Sequence, residues 1–429
     1  MINRIIFHKR NTHLLSKKIL YANIHNDQEL DALRLNKFNI LWKNSYKKIP
    51  FYRLWKEKNL LPDRINNFED LYRFPKLTSK IIQENKDLII NSNISGTIST
   101  GGSSGSPTIF PSSQSDIKNF YSNIFVGRGW WDIFPGEKTL LIWGHSHLFG
   151  TGFFGKVNEL KRIAKDYFVK TKRLNAYDMS DEKIKLFYKN LISYKPVVVI
   201  GYTSILVKLA DYILANNLNK FIRLKAIIPT AETITNFDVD IMERAFCCPV
   251  VIEYGMAEAG VIAYSYKSTN NLKILWNSFI CSIRNDELHI TTLDRNEFPL
   301  INYATKDIVE TNDNNLFNVV NLTKVVGRSK DFYKLRNKSN TKFIIVSGIF
   351  IVHAIKTYKS ILSVQVKKLP GNLLQILVVS NQIINLKNLK LFFLKQCIID
   401  FPDLDEDVFI FKQIKMPIKS LSGKENITI

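Results

Sequence analysis

The spacing of apolar positions changes along the chain and divides it into regions. Over residues 1–90 apolar side chains recur at helical intervals among Lys, Asn and Glu, with Phe38, Leu41, Trp42, Tyr46, Tyr52, Leu54 and Trp55 placed to line helix faces. Pro50 and Pro62 punctuate this stretch, and residues 74–78 lead into a helix beginning near Ser79. Such a segment is expected to fold around a main domain. Residues 112–129 read as a helix that turns Phe120, Tyr121 and Phe125 toward the core. Four short apolar runs bounded by turns follow, at 138–143, 196–201, 224–228 and 250–253. Runs of that kind are strands buried on both faces. The helix after the second run carries Leu206, Leu209 and Ile213 inward, with Thr203 or Ser204 as the expected cap of its first N–H groups. Repeated strand–helix–strand units predict a partly parallel α/β sheet covered by helices. Ligands of such sheets collect at the carboxyl ends of the strands.

Past residue 275 the pattern shortens. Strand-like pieces at 279–284, 288–292 and 318–321 predict a small, mainly antiparallel subdomain. From about 328 onward the elements are mixed, with strands at 364–368 and 373–379 and a helix at 386–397. The expected division is therefore a large domain over 1–327 and a smaller α+β domain over 328–429.

Composition narrows the class. The chain has 429 residues, of which 45% are hydrophobic and 12% aromatic, enough for large cores and against global disorder. Its formal charge of +22 is spread through helices and loops, which suits an anionic cofactor, an acidic partner or the inner membrane face. No nucleic-acid recognition motif accompanies that charge. The longest apolar run, 343–352, is too short to span a bilayer, and the amino terminus lacks a secretory signal. The four cysteines have no metal-ligand spacing and read as reduced thiols of a cytoplasmic protein. His145 and His147 stand two apart in a glycine- and aromatic-rich loop, where packing is a better reading than metal binding. Phe149, Phe153 and Phe154 of that loop are a candidate acyl-pocket wall.

Candidate chemistry begins at residues 99–107, Ser-Thr-Gly-Gly-Ser-Ser-Gly-Ser-Pro. Glycines let consecutive N–H groups turn around an anion, and Thr100, Ser103 and Ser104 add hydroxyl donors, a combination that suits polyphosphate. The stretch is neither a Walker loop nor a dinucleotide fingerprint, and a plain flexible linker is its other reading. Arg128 points either toward phosphate or into solvent as a helix cation. In Tyr254-Gly-Met-Ala-Glu258, Gly255 permits a sharp turn, Tyr254 offers a face for a base and Glu258 a hard oxygen for Mg²⁺, or the two are simply core and surface. Asp307 is suited to ribose hydroxyls, Arg328 is a fork donor, and 329–331 make a hinge. Lys424 is either part of a tail or a lysine delivered to the site.

These segments stand in the order of an adenylate-forming enzyme. The chain resembles the phenylacetate–coenzyme A ligase branch of that superfamily, and within it the short homologues associated with capsular and surface-polysaccharide biosynthesis. The resemblance implies a large helix-covered domain, a small mobile carboxyl-terminal domain, ATP, Mg²⁺ and a carboxylic acid or amino acid as substrate. Thr100, Gly101, Gly102, Ser103, Ser104 and Gly105 would wrap the phosphates. Ala231, Glu232, Tyr254 and Gly255 would lie about the adenine and the acyl pocket. Glu258 would hold Mg²⁺, Asp307 the ribose, and Arg328 the ribose or phosphate side. Lys424 would reach the carboxylate and α-phosphate. The implied acceptor is a sugar nucleotide, coenzyme A or a carrier protein. A homodimer, peripheral attachment at the membrane face and a non-catalytic scaffold in glycan assembly are further options. Three positions depart from the pattern: Ser106 stands for a lysine, Ala257 for a threonine and Lys306 for a glycine.

Overall fold

The computed structural model describes residues 14–19, 26–90, 96–99, 108–143, 166–175, 181–230, 234, 236–267, 269–328, 332–356, 358, 361–380, 382–416 and 418. They form two compact units, one containing 1–305 and 309–324, the other 306–308 and 325–429.

The first unit opens with helices α1 (Asp27–Lys48), α2 (Pro50–Lys58), α3 (Ser79–Glu84) and α4 (Lys86–Ile89). Asn26 caps α1 by accepting the Glu29 N–H at 2.8 Å. Pro50 opens α2, where its missing N–H would have had no partner anyway. Phe38, Leu41, Trp42, Tyr52 and Trp55 are buried as their spacing predicts, whereas Leu54 is exposed. At about 100° per residue, Leu54 falls outside the face that Phe51, Tyr52 and Trp55 bury. Arg34, fully buried, donates to the Phe279 carbonyl at 3.0 Å and to Asn318 Oδ1 at 2.7 Å, fastening α1 to the antiparallel region.

Strands β1 (Thr97–Ser99) and β2 (Ile109–Pro111) pair antiparallel, Ser99 opposite Ile109, and so bracket residues 100–107. Helix α5 (Gln114–Gly129) follows through a capping box made by Ser113 and Asp116. Its buried face is Asp116, Ser122, Asn123, Val126, Gly127 and Gly129, while Tyr121 is exposed. The expected aromatic face is corrected at Tyr121 alone, since Phe120 and Phe125 are half-buried. Small and polar residues let α5 lie close to its neighbours and bond across the contact.

Strands β3 (Thr139–Trp143), β4 (Thr171–Asn175), β5 (Val198–Tyr202) and β6 (Ala226–Thr230) form a parallel sheet in the order β4-β3-β5-β6. Helices α6 (Asp181–Tyr194), α7 (Thr203–Ala215) and α8 (Asn236–Phe246) supply its covering layer. Leu140, Ile142, Val199, Ile227, Leu206, Leu209 and Met242 share one core. Val250 extends the sheet by a parallel bridge to Ile227. The N-cap position falls on Tyr202, before the expected Thr203 or Ser204. Tyr202, still paired to Thr230 in the sheet, makes no side-chain cap bond, and the buried Thr203 hydroxyl has no partner among the described residues.

The antiparallel part consists of β7 (Glu253–Met256), β8 (Gly260–Tyr266), β9 (Thr269–Ile274), β10 (Phe279–Arg284), β11 (Glu287–Thr292), β12 (Tyr303–Glu310), β13 (Asn321–Leu322) and β14 (Lys324–Arg328). The sheets run β13-β9-β8-β7 and β10-β11-β12-β14. The strand expected at 318–321 shifts to β13, with Val319 making a single bridge to Cys281.

In the second unit, β15 (Phe332–Arg336) and β16 (Phe343–Ser347) form a hairpin, followed by α9 (Gly348–Lys356). The long apolar run is thus shared between a strand and a helix, broken at Gly348. Among the described residues no helix is long and apolar enough to cross a membrane. Strands β17 (Ile361–Leu369) and β18 (Leu373–Ser380) pair antiparallel, and β19 (Phe409–Ile414) joins β18 in parallel after helix α10 (Leu386–Asp400). That crossover closes a core of Val346, Ile351, Val366, Ile376, Phe393 and Phe409.

Candidate active site

Strands β7 and β8 make a tight hairpin whose turn is Ala257–Glu258–Ala259, with Met256 opposite Gly260. The reason for its glycines is steric. A Cβ at Gly255 would lie 2.4 Å from the Gly260 carbonyl oxygen, and Gly260, at φ +84°, has the Phe120 ring where a Cβ would go. The sharp turn expected at Gly255 is in fact two residues later, and Gly255 serves close backbone approach within the strand.

At the base of this hairpin, Glu253 Oε2 accepts from Arg128 Nη2 at 2.9 Å and from the Tyr264 phenol at 2.6 Å. Burial works against the Arg128 charge, but Glu253 and Tyr264 outweigh it and raise the Arg128 pKa. Neither sequence reading of Arg128 holds: it points neither to phosphate nor to solvent, but into an interior ion pair.

At the tip the same residue types are wired differently. Tyr303 donates from its phenol to Glu258 Oε1 at 2.8 Å. Arg295 Nη1 donates to the backbone carbonyl of Glu258, and Arg295 Nη2 to the carbonyl of Pro111 at 2.8 Å. Among the described residues no cation pairs with the Glu258 carboxylate and no carboxylate pairs with Arg295. Burial lowers the Arg295 pKa, against the fields of Asp116, Tyr52, Glu258 and Asp294. Asp116 accepts from the backbone N–H of Asn296 at 2.8 Å and of Glu297 at 3.3 Å, anchoring the segment that carries Arg295. Burial also pushes the Asp294 carboxyl up, while bonds from Ser278 at 2.6 Å and Asn123 at 2.7 Å oppose that shift. A narrow cleft beside the tip is lined by Ile98, Phe120, Asn123, Asp116, Arg295 and Glu258.

The structure places the expected site residues unevenly. Tyr254 and Glu258 are half-buried and Gly255 exposed, all on the hairpin. Asp307 is buried in β12, within the short stretch that groups with the second unit. Lys306, before it, has φ +64°. The lysine thus holds a left-handed backbone, at a cost of about 1–2 kcal/mol. Arg328 ends β14. Thr100, Gly101, Gly102, Ser103, Ser104, Gly105, Ser106, Ala231, Glu232 and Lys424 lie outside the described residues, as do His145, His147, Phe149, Phe153, Phe154 and the 329–331 hinge. At the carboxyl ends of β3 and β5, the rings of Trp143 and Tyr202 lie 4.7 Å apart and tilted by 40°, a contact that sequence reasoning did not assign. Arg295 and Tyr303 were also missed. Arg295 sits in the polar run 294–297, and Tyr303 stands four residues before Asp307.

The donor set at the tip is one hard carboxylate oxygen centre. Mg²⁺ is usually bound through one or two carboxylates together with phosphate oxygens and water, so Glu258 fits that ion as the companion of a nucleotide. Among the described residues no cluster of three His, Cys, Asp or Glu side chains offers an all-protein cage.

No family model matches the chain. It is 28% identical over 371 residues to Protein CapK of Staphylococcus aureus, covering 82% of this chain and 78% of that protein. Among solved structures it is similar to 2-hydroxyisobutyryl-CoA ligase in the postadenylation state with R3-HIB-AMP. That match has a TM-score of 0.68 and 16% identity and covers 94% of this chain and 90% of the other. An open conformation of the same ligase with 2-HIB-AMP and CoA matches with a TM-score of 0.57 at 16% identity, covering 94% and 92%. At such identity the likeness establishes the architecture: a large α/β amino-terminal part and a smaller carboxyl-terminal part in the adenylate-forming ligase fold.

Proposed function

We propose that this chain activates a carboxylic acid or amino acid with ATP as an acyl-adenylate and passes the acyl group to an acceptor in surface-polysaccharide biosynthesis. The observation that carries the reading is the Glu258 carboxylate, presented on a hairpin tip with no cation against it among the described residues and tied through Arg295 to the strand that leaves residues 100–107. Similarity to CapK and the fold shared with an acyl-CoA ligase support it, as does the resemblance of the sequence to the phenylacetate–coenzyme A ligase branch.

In this reading a substrate carboxylate oxygen attacks the α-phosphorus of ATP. The bond to the β-phosphate breaks, and pyrophosphate leaves with the electron pair. Thr100 to Gly105 wrap the phosphates, while Ala231, Glu232 and Tyr254 border the adenine and acyl group. Asp307 takes the ribose hydroxyls, and Arg328 the ribose or phosphate side. Lys424, from a mobile carboxyl-terminal domain spanning 328–429, stabilises charge on the transferring phosphoryl group. Glu258 would hold Mg²⁺, which supplies charge neutralisation at the phosphates. A CoA acceptor is the second reading, favoured by the CoA seen with the structurally similar ligase.

The test is mass spectrometry of purified protein with ATP, Mg²⁺ and pooled aryl acids, short acids and amino acids. An acyl-adenylate from the wild type and none from Lys424→Ala is expected. A folded, ATP-binding protein that yields no adenylate from any pool overturns the reading in favour of a non-catalytic scaffold.

A further inference from the structure

Glu258 sits between two alanines on a three-residue turn, and nothing within that turn orients a carboxylate. Its orientation comes from elsewhere. The Arg295 guanidinium is planar, so its two terminal nitrogens have a fixed separation. One grips the Glu258 carbonyl and the other the Pro111 carbonyl, which sets the distance between the hairpin tip and β2. The Phe110 ring lies 5.5 Å from the same guanidinium and 6.4 Å from the Tyr303 ring, edge to face. Tyr303 closes the circuit by bonding Glu258 Oε1. Both residues are nearly inaccessible, with relative exposures of 6% for Arg295 and 3% for Tyr303.

We propose that Arg295 and Tyr303 are positioning residues: Arg295 locks the Glu258 turn in register with the strand leaving residues 100–107, and Tyr303 aims the Glu258 carboxylate. A divalent cation arriving with a polyphosphate then meets an oxygen held at a fixed place relative to β2. The inference rests on the proposed role of Glu258. Burying an arginine is costly, and this one spends its hydrogen bonds on two carbonyls rather than on a direct ion pair among the described residues, which makes sense for alignment.

The experiment is Mn²⁺ binding to the full chain in the presence of ATP, followed by the electron paramagnetic resonance signal of free Mn²⁺. Wild type is compared with Tyr303→Phe, Arg295→Lys and Glu258→Gln, and ATP binding without divalent ion is measured in parallel. Loss of a residue that orients a metal ligand typically weakens metal affinity about 10–100-fold. A weakening of about tenfold or more is expected for Tyr303→Phe and Arg295→Lys, with metal-free ATP binding unchanged. Phenylalanine keeps the ring and lysine keeps the charge, so both variants should stay folded. Should both retain wild-type Mn²⁺ affinity while Glu258→Gln loses it, positioning is overturned and the Glu258 reading stands. Should Glu258→Gln also bind Mn²⁺ normally, both fall.

Discussion

The two ends of the 253–266 hairpin use the same three residue types to opposite purposes. At the base, arginine and tyrosine converge on one carboxylate oxygen of Glu253, and the acid is spent inside the protein. At the tip, the tyrosine takes one oxygen of Glu258 while the arginine turns to backbone carbonyls. The first arrangement neutralises a charge to hold two elements together. The second holds the backbone and leaves the carboxylate without a direct ion pair among the described residues. What separates a structural glutamate from a candidate ligand is therefore the atom its arginine chooses.

The comparison breaks most severely at the glycine both ends depend on. Gly255→Ala would press a methyl group into the Gly260 carbonyl, and a loss of about 2–4 kcal/mol in urea unfolding is expected. An unchanged midpoint would mean the hairpin has room that its geometry denies. Next come the two glutamates, changed alike. Glu253→Gln leaves the buried Arg128 without its counter-charge and should cost about 3 kcal/mol or more. Glu258→Gln should alter stability by less than about 1 kcal/mol and lower pyrophosphate release about 100-fold or more. Equal stability losses from both would erase the distinction drawn here.

Smaller effects fall on the strand that supports the tip. Lys306→Gly relieves a left-handed lysine and should stabilise by up to about 1 kcal/mol, read from thermal unfolding. A destabilisation would show that lysine contacts outweigh the strain. The smallest effect concerns His289, whose ring bonds Asn302 beside Tyr303 at 2.8 Å. Burial lowers its pKa below the ordinary 6.5, with Asn302 and Glu287 opposing and Arg284 and Lys76 assisting. The unfolded chain therefore takes the proton first, and stability falls as pH drops below about 6.5. His289→Gln should flatten that fall between about pH 7.5 and about pH 5.5; an undiminished slope would assign it to other groups.

The parallel sheet was legible because its information is local. Continuous apolar runs such as 138–143 and 196–201 have one economical fate, burial on both faces, and the strands appear within two residues of them. The order of the candidate segments likewise carried the fold. The tip was illegible because its logic is long-range. Arg295 is buried by Phe110, Pro111 and Glu258, none of which is near it in sequence, and a polar run looks the same whether water or carbonyls surround it. Arg128 failed for the same reason, since its partner Glu253 lies 125 residues away. On α5, the buried Asn123 and Asp116 invert the usual rule that apolar residues mark the inner face.

The cysteines give both units a reporter of their own. Cys247 is exposed at the end of α8, whereas Cys248, Cys281 and Cys397 are buried, the Cys248 and Cys281 thiols pushed up to about 12 by that burial. Alkylation of the folded chain should therefore proceed in one rapid step at Cys247. Afterwards labelling waits on opening: Cys281 records the antiparallel core of the first unit beneath Arg34, and Cys397 records the second unit. Unmodified, the protein carries a chemical clock for each half, and the order in which those thiols surrender would reveal which half loosens first.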